Sequence, residues 1–155
     1  MQLYRFSPIQ DKEQLLRAAE YIATKTSELC KKVLRQNLPI SSLTVFAHYP
    51  EEYEHLTKIL NALGTFYNEN NGPRVVLDKP LKIGNNTITH LRVRKPDPHR
   101  MQVGCNDFDI ENYIEFKKQN LLAHPNNLRL IDRPEYEMVE FFDPDYDVLA
   151  YAVSN

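Results

Sequence analysis

Cysteine, glycine and long apolar runs are all scarce in this sequence, and each shortage narrows the class of protein. The 155 residues include two cysteines, Cys30 and Cys105, which fit a reducing cytoplasm and give none of the spacings of a metal site. No apolar run approaches the ~20 residues that span a bilayer, and the N-terminal residues lack the pattern of a secretory signal. Four glycines against ten prolines indicate well-defined loops. These features predict a cytoplasmic protein that does not span a membrane.

Charge is nearly balanced overall but is distributed unevenly along the chain. A net charge of −2 gives no reason to expect nucleic acid or an anionic membrane surface as a partner. Basic residues dominate between Arg74 and Arg100, whereas acidic residues dominate from Asp132 onward. One interpretation is that the two segments form solvated surfaces that attract each other in the fold. The other is that the basic segment binds an anionic small molecule.

Hydrophobic periodicity predicts the order of the secondary-structure elements. Apolar residues at three- and four-residue steps indicate a helix over 11–36, and a β-branched, aromatic segment indicates a strand over 41–49. Pro50 suits the first turn of a second helix, which stops at Gly64. Strands follow as far as Pro96, separated by turns at 70–73 and 84–86. The order then restarts with a strand over 101–110, a helix over 111–122 and strands over 126–134, 135–143 and 147–154.

This order contains an internal repeat of about 50 residues, which is visible in the arrangement of elements and hardly at all in residue identity. One leading helix is followed by βαβββ and then by βαβββ again. We therefore expect an α+β protein and a single domain over 1–155. Within it, 1–40 is an N-terminal helical extension, 41–100 the first βαβββ module and 101–155 the second.

Two segments resemble the vicinal oxygen chelate superfamily, which includes glyoxalase I, extradiol dioxygenases and bleomycin-resistance proteins. The segment "DFDIENYIEFKKQNL" (107–121) is similar to that family's passage from strand into helix. The segment "EMVEFFDPDYDVLAY" (137–151) is similar to its final hairpin. The resemblance covers about 41–154 and implies tandem modules that form a curved mixed sheet, commonly within a homodimer.

The family's usual metal ligands are incomplete in this sequence. The resemblance implies a histidine, glutamine or glutamate at the start of each module's first strand and a glutamate in each last strand. Ala150 stands where the second of these glutamates is expected, and a methyl group cannot bind metal. Cys105 and Asn106 stand near the second module's first ligand position, and the first module's last strand offers Thr89 and His90.

A row of polar side chains in "ITHLRVRKPDPHR" (88–100) is the leading candidate for a binding site. His90, Arg92 and Arg94 alternate with apolar residues, so a strand places all three on one face. Arginine donates forked hydrogen bonds to carboxylates and phosphates, and histidine can act as an acid, a base or a metal ligand. The alternative is a solvated face, or one that is salt-bridged to the acidic C-terminal strands.

Aromatic residues and one glutamate extend this candidate site. We expect Tyr49, Phe142 and Tyr151 to supply aromatic lining for a ligand cleft. Glu140 shares a strand face with Phe142 and is the glutamate favoured to look into the cleft, although a surface position is the alternative. His48 ends the first strand, where capping or packing is the alternative to metal ligation.

Three functional hypotheses remain open at this point. The first is a protein that binds a small, anionic molecule in the curved sheet through His90, Arg92 and Arg94, without a cofactor. The second is a metal-dependent lyase, isomerase or dioxygenase in which His48, His90 and Glu140 bind a divalent metal. The third is a module that binds a protein partner through its basic and acidic strands.

Overall fold

The leading helix forms as predicted. A computed structural model of the chain describes residues 4–68 and 72–153. Helix α1 (Lys12–Leu34) begins where the Asp11 carboxylate accepts a hydrogen bond from the backbone N–H of Gln14, at 2.8 Å. It ends at Arg35, whose φ of 61° is left-handed. Its buried face comprises Leu15, Ala18, Ala19, Ile22, Ala23, Thr26, Leu29, Cys30 and Val33.

The first module has the predicted βαβββ order. Its elements are β1 (Ile40–Phe46), α2 (Pro50–Leu63), β2 (Gly64–Asn68), β3 (Arg74–Ile83) and β4 (Asn86–Arg94). Pro50 lies in the first turn of α2, where its missing N–H has no partner to lose. The turn predicted at 84–86 contains Gly84 at a φ of 59°. The turn predicted at 70–73 falls partly on residues 70 and 71, which lie outside the described residues.

The second module repeats that order. Its elements are β5 (Gly104–Asp109), α3 (Tyr113–Asn120), β6 (Leu128–Arg133), β7 (Tyr136–Phe141) and β8 (Val148–Val153). The Asn112 side chain caps α3 by accepting a hydrogen bond from the backbone N–H of Glu115. The last predicted strand residue, Ser154, lies outside the described part of the chain.

Both modules join one mixed sheet of eight strands, in the order β2-β3-β4-β1-β5-β8-β7-β6. In each module the first strand pairs in parallel with the last, β1 with β4 and β5 with β8. The two first strands, β1 and β5, pair antiparallel at the centre of the sheet. The prediction of an α+β fold with tandem βαβββ modules behind an N-terminal helix is therefore confirmed.

The two faces of the sheet have different surroundings. Leu43, Val45, Leu91 and Val93 belong to the main core, together with the buried faces of α1 and α2. Gly104 lets α1 approach closely, since a Cβ there would lie 2.4 Å from Cδ1 of Ile22. Because strand side chains alternate, the residues between these core positions point to the other face of the sheet. That second face carries the candidate site.

In the part of the chain that the structure describes, no helix is long and apolar enough to cross a membrane.

Candidate functional site

The face of the sheet opposite the main core forms a cleft of about 900 Å³. This volume lies within the range typical of small-molecule sites, about 300–1,000 Å³. Strands of both modules contribute to the lining, so the cleft depends on the whole sheet. Its lining includes Arg74, Arg92, Arg94, Arg100, Cys105, Asp107, Ile131, Met138, Glu140, Tyr151 and Val153.

Three guanidinium groups lie together on the β3–β4 side of the cleft. Arg74 of β3 is the direct cross-strand partner of Arg92 in β4, and Arg94 follows two residues later on the same face. We call Arg74, Arg92 and Arg94 the arginine cluster. Like charges directly opposite each other in an antiparallel pair repel. The register of β3 against β4 therefore concentrates positive charge here instead of dispersing it.

Two carboxylates lie beside the arginine cluster and neutralise it in part. Oδ2 of Asp107 is 3.7 Å from Nη2 of Arg74, and Oδ2 of Asp97 is 3.4 Å from Nη2 of Arg94. Arg92 bonds through Nε to the Thr44 hydroxyl at 3.3 Å. Nε of Arg74 is buried and has no hydrogen-bond partner among the described residues. At least one strong donor of the arginine cluster is thus unsatisfied.

Burial sets the electrostatics of this part of the cleft. It lowers the pKa of Arg92 below its usual value, and the neighbouring Arg74 and Arg94 act in the same direction. Burial likewise raises the pKa of Asp107, while the charges of Arg74 and Arg92 oppose that rise. A further negative charge nearby would therefore stabilise the charged form of Arg92, and a further positive charge would stabilise the charged form of Asp107.

An apolar patch forms the floor of the cleft. Cys105, Met138, Tyr151 and Val153 line the cleft, and the neighbouring Phe46, Leu149 and Phe142 pack against them. The Arg94 guanidinium lies 5.0 Å from the centre of the Phe46 ring, so the floor and the arginine cluster adjoin. Burial raises the pKa of the Cys105 thiol to about 11, and it is a neutral thiol at physiological pH. The floor can hold the apolar body of a ligand.

Glu140 occupies the β7 side of the cleft and is fully buried, with a side-chain exposure of 0%. Its cross-strand partner Arg129 donates from Nε to Oε1 at 2.7 Å. Its other oxygen, Oε2, is 3.7 Å from Nη1 of Arg100, beyond hydrogen-bond distance. Among the described residues, Oε2 has no hydrogen-bond partner. The expected inward orientation fits this position, but the sequence did not indicate such complete burial.

The structure brings some of the candidate residues together and separates others. Arg92, Arg94, Tyr151 and Glu140 line the cleft. Phe142 packs against the cleft floor, 4.7 Å beneath the guanidinium of Arg129. Burial is the main reason that the pKa of Tyr151 is raised, so its phenol stays neutral.

His90 and Tyr49 are not among the described residues that line the cleft. The His90 ring lies 5.4 Å from that of Tyr67, and its Nδ1 is 2.7 Å from the Thr89 hydroxyl. Tyr49 directly precedes α2, and its ring contacts Tyr4 at 5.8 Å. The position of Tyr49 has a simple physical reason, because the strand ends at Phe46 and no longer directs Tyr49 towards the sheet face.

His48 is engaged by the N-terminal segment rather than by the cleft. Its Nδ1 is 2.7 Å from the Ser7 hydroxyl, its Nε2 is 2.9 Å from the carbonyl oxygen of Gln102, and the Tyr4 ring stacks on it at 3.9 Å. Both ring nitrogens are therefore occupied. Within residues 4–68 and 72–153, no three His, Cys, Asp or Glu side chains are grouped so as to hold a metal ion. His48, His90 and Glu140 do not form the ligand set considered above.

Ala150, aligned above with a metal-binding glutamate, lies in the main core. Leu149 and Tyr151, on either side of Ala150 in β8, point to the opposite face of the sheet. Neither side chain has a carboxylate. In β5 the corresponding cleft residues are Cys105 and Asp107, whereas Asn106 points towards the core side.

Four polar residues of this site were not singled out from the sequence. Arg74 and Arg100 belong to the basic segment noted above. Arg74 meets Arg92 because of strand register, and Arg100 approaches Glu140 because of the path of its loop. Asp107 reaches the cleft because β5 pairs with β1 at the centre of the sheet. Arg129 reaches Glu140 through the β6–β7 register. The sequence could have suggested the pair of Arg129 and Glu140 only if β6 and β7 had been assumed to form a hairpin with a two-residue turn.

Comparisons with known proteins bear on the fold. No family model matches the chain, and no curated protein matches it significantly. A solved structure called "Structural Genomics, Protein EC4020" is similar to it, with a TM-score of 0.66 and 13% sequence identity. The match covers 94% of this chain and 93% of that one. At this identity the likeness shows a shared fold alone.

Proposed function

We propose that this protein binds a small organic anion in the cleft, through the arginine cluster. The observation that carries the proposal is the direct pairing of Arg74 with Arg92 across β3 and β4, with Arg94 beside them. A carboxylate or phosphate placed there would relieve the repulsion and accept forked hydrogen bonds, including one from the buried Nε of Arg74.

The surroundings of the arginine cluster favour a ligand that is partly apolar. A fully hydrated inorganic anion would have little contact with Cys105, Met138, Tyr151 and Val153. An organic anion places its charged group on the arginines and its carbon skeleton on this floor, burying apolar surface at roughly 25 cal/mol per Å². The ligand class is therefore an organic carboxylate or phosphate ester.

We further propose that the chain is a divergent relative of the vicinal oxygen chelate superfamily. The identical strand order of the two βαβββ modules supports this proposal. Neither module's last strand has a glutamate on the cleft side, where Arg92 of β4 and Tyr151 of β8 lie instead. This exchange favours ligand binding by hydrogen bonds and charge over metal chelation. The homodimer that the resemblance implies can be checked by light scattering.

A screen of organic anions tests the proposal. The purified chain is titrated calorimetrically with aliphatic and aromatic carboxylates and with phosphate monoesters, alongside Arg92→Gln and the control Arg17→Gln. Arg17 is an exposed arginine of α1, outside the cleft. We expect at least one anion to bind the wild type and the control equally, and Arg92→Gln at least tenfold more weakly. Absence of binding across the panel, or equal binding to Arg92→Gln, contradicts the proposal.

A further inference from the structure

Glu140 presents a buried oxygen atom that the fold leaves without a hydrogen bond. We infer that the ligand of the cleft carries a hydrogen-bond donor, such as a hydroxyl or ammonium group, that contacts Oε2 of Glu140. This inference rests on the proposed function and deepens it. It defines the ligand as an amphipathic anion with a donor group at the end far from its charge.

The two oxygens of Glu140 have different environments. Oε1 is held by Arg129, whose Nε and Nη2 both approach it. Oε2 is as deeply buried; the Tyr151 phenol interacts with the carboxylate, but no described residue lies in hydrogen-bonding geometry to Oε2. Arg100 comes within 3.7 Å, which is close enough for charge attraction but too far for a hydrogen bond. A buried acceptor left in this state destabilises the unliganded protein, and a ligand donor would remove that cost.

The chemistry of Glu140 specifies the kind of group it would bind. A carboxylate can only accept hydrogen bonds, so the matching ligand group must donate. Oε2 belongs to a residue that lines the cleft, and the surrounding lining includes Met138, Tyr151 and Val153. A polar group that reaches Oε2 is flanked by the Tyr151 phenol and by the apolar side chains of Met138 and Val153. A hydrogen bond shielded from water in this way is stronger than one in water.

The sheet fixes the relation between the charged end and the donor end of the ligand. Arg92 lies on β4 and Glu140 on β7, with β1, β5 and β8 between them. Four strand spacings correspond to about 19 Å along the sheet, and the inward-pointing side chains shorten the distance that a ligand must bridge. The apolar floor lies between the two ends, because Cys105 is on β5 and Tyr151 on β8. An extended ligand with an apolar middle fits this order.

The first test uses the unaltered protein. The probes are ω-hydroxyalkyl carboxylates and phosphate monoesters with chains of about six to twelve carbons, chosen to sample this span. Each is compared with its ω-methoxy counterpart, which has the same head group but can only accept a hydrogen bond. We expect calorimetry to show roughly tenfold tighter binding of the hydroxyl compound at the best chain length. Equal binding of the two compounds overturns this inference while the proposed anion site stands.

The second test uses the variant Glu140→Gln, which replaces the acceptor Oε2 with a donor. In Glu140→Gln the amide oxygen can accept from Arg129, which leaves an NH₂ donor where Oε2 was. We expect this variant to lose the preference for the hydroxyl compound and to bind the methoxy compound at least as well. The control Glu111→Gln, an exposed position outside the cleft, keeps the wild-type preference. An unchanged preference in Glu140→Gln overturns the inference, and if that variant fails to fold, the wild-type comparison decides alone. Failure of every carboxylate and phosphate to bind overturns both the inference and the proposed function.

Discussion

Arg74 lies directly opposite Arg92 in the antiparallel pairing of β3 with β4, on the cleft face of the sheet. Such a pair destabilises a sheet unless something else compensates for it. Asp107 compensates in part, since its carboxylate is 3.7 Å from Arg74. Under the proposed function, the remaining positive charge would favour anion binding at the expense of the stability of the unliganded protein.

Replacing Arg92 by glutamine should leave the unliganded protein at least as stable as the wild type. The variant removes a charge whose pKa is lowered by burial and by two neighbouring guanidinium groups. We expect the free energy of unfolding in urea to be unchanged or to rise by up to about 1 kcal/mol. The exposed control Arg17→Gln should stay within about 0.5 kcal/mol of the wild type. A loss of more than about 1 kcal/mol in Arg92→Gln would mean that Arg92 is chiefly a structural residue.

Asn106 is a buried polar residue at the centre of the sheet, and it does not line the cleft. Asn106 is 1% exposed, and both polar atoms of its side chain have no hydrogen-bond partner among the described residues. Its neighbours in register are Leu43 on β1 and Ala150 on β8, both fully buried. The amide thus lies among apolar side chains, where an unpaired polar group is costly.

Asn106→Leu should therefore stabilise the protein by about 1–2 kcal/mol, since leucine has the same branching without the polar atoms. Urea unfolding measures the change. Asn127→Leu is the matched substitution with the opposite expectation, because the Asn127 amide donates to the carbonyl oxygen of Phe142 at 3.1 Å. That variant should lose about 1–2 kcal/mol. A destabilised Asn106→Leu would indicate that the Asn106 amide makes a bond that its present surroundings do not account for.

The order of the elements was predictable because each one depends on local sequence. Local signals predicted these elements correctly. They are the apolar periodicity of 11–36, the proline in the first turn of α2 and the glycine in the turn at 84. The strand β3 runs from Arg74 to Ile83 and includes Pro80. A register shift between Val76 and Leu81 accommodates the proline there, because it cannot donate to the ladder.

The candidate site was only partly predictable because it depends on contacts between distant segments. Alternation within one strand was enough to place Arg92 and Arg94 on the same face. The pairing of Arg74 with Arg92 follows from a cross-strand register that the sequence does not state. The same is true of the contact between Arg129 and Glu140. For His48 the sequence left metal ligation and packing as alternatives, because the contacts with Ser7 and Tyr4 join segments that are distant along the chain.

Glu52 anchors that N-terminal segment, so Glu52→Gln should loosen it. The buried carboxylate accepts hydrogen bonds from the backbone N–H groups of Ile9, at 2.6 Å, and His48, at 2.7 Å. A glutamine must turn its NH₂ group towards one of these two donors, which leaves that donor unpaired. We expect a loss of about 2 kcal/mol in the free energy of unfolding. Amide hydrogen exchange should become faster at Ile9 and His48 before it does in the central strands.

The neighbouring Glu51→Gln provides the control for this effect. Glu51 is exposed in the same first turn of α2, so its replacement removes the same charge without breaking a buried bond. Its cost should stay within about 0.5 kcal/mol, the size of a helix-dipole effect. Equal losses in the two variants would show that charge near the helix start, rather than the bonds to Ile9 and His48, is what matters.

The surroundings of His48 make it a source of pH-dependent stability. The carbonyl oxygen of Gln102 can only accept, so Nε2 of His48 donates to it and Nδ1 of the neutral ring accepts from Ser7. Burial lowers the pKa of His48 below its usual value of 6.5, although the Gln102 carbonyl and the Glu52 carboxylate oppose this. Protonation in the folded state would place a positive charge on a ring that is largely shielded from water. The folded protein therefore favours the neutral ring.

The neutral ring of His48 stabilises the folded protein at neutral pH, and this stabilisation is lost in acid. Unfolded His48 takes up a proton near pH 6.5 and folded His48 only at lower pH, so the unfolded chain binds more protons in between. The stabilisation is therefore fully present above about pH 6.5 and is lost as the pH falls through the folded pKa. Urea unfolding at about pH 7.5 and about pH 5.5 should show a smaller decrease for His48→Gln than for the wild type. His99→Gln, at an exposed loop position, should retain the wild-type decrease. If His48→Gln loses as much stability as the wild type over this range, groups other than His48 cause the pH dependence, because the two proteins differ only at residue 48.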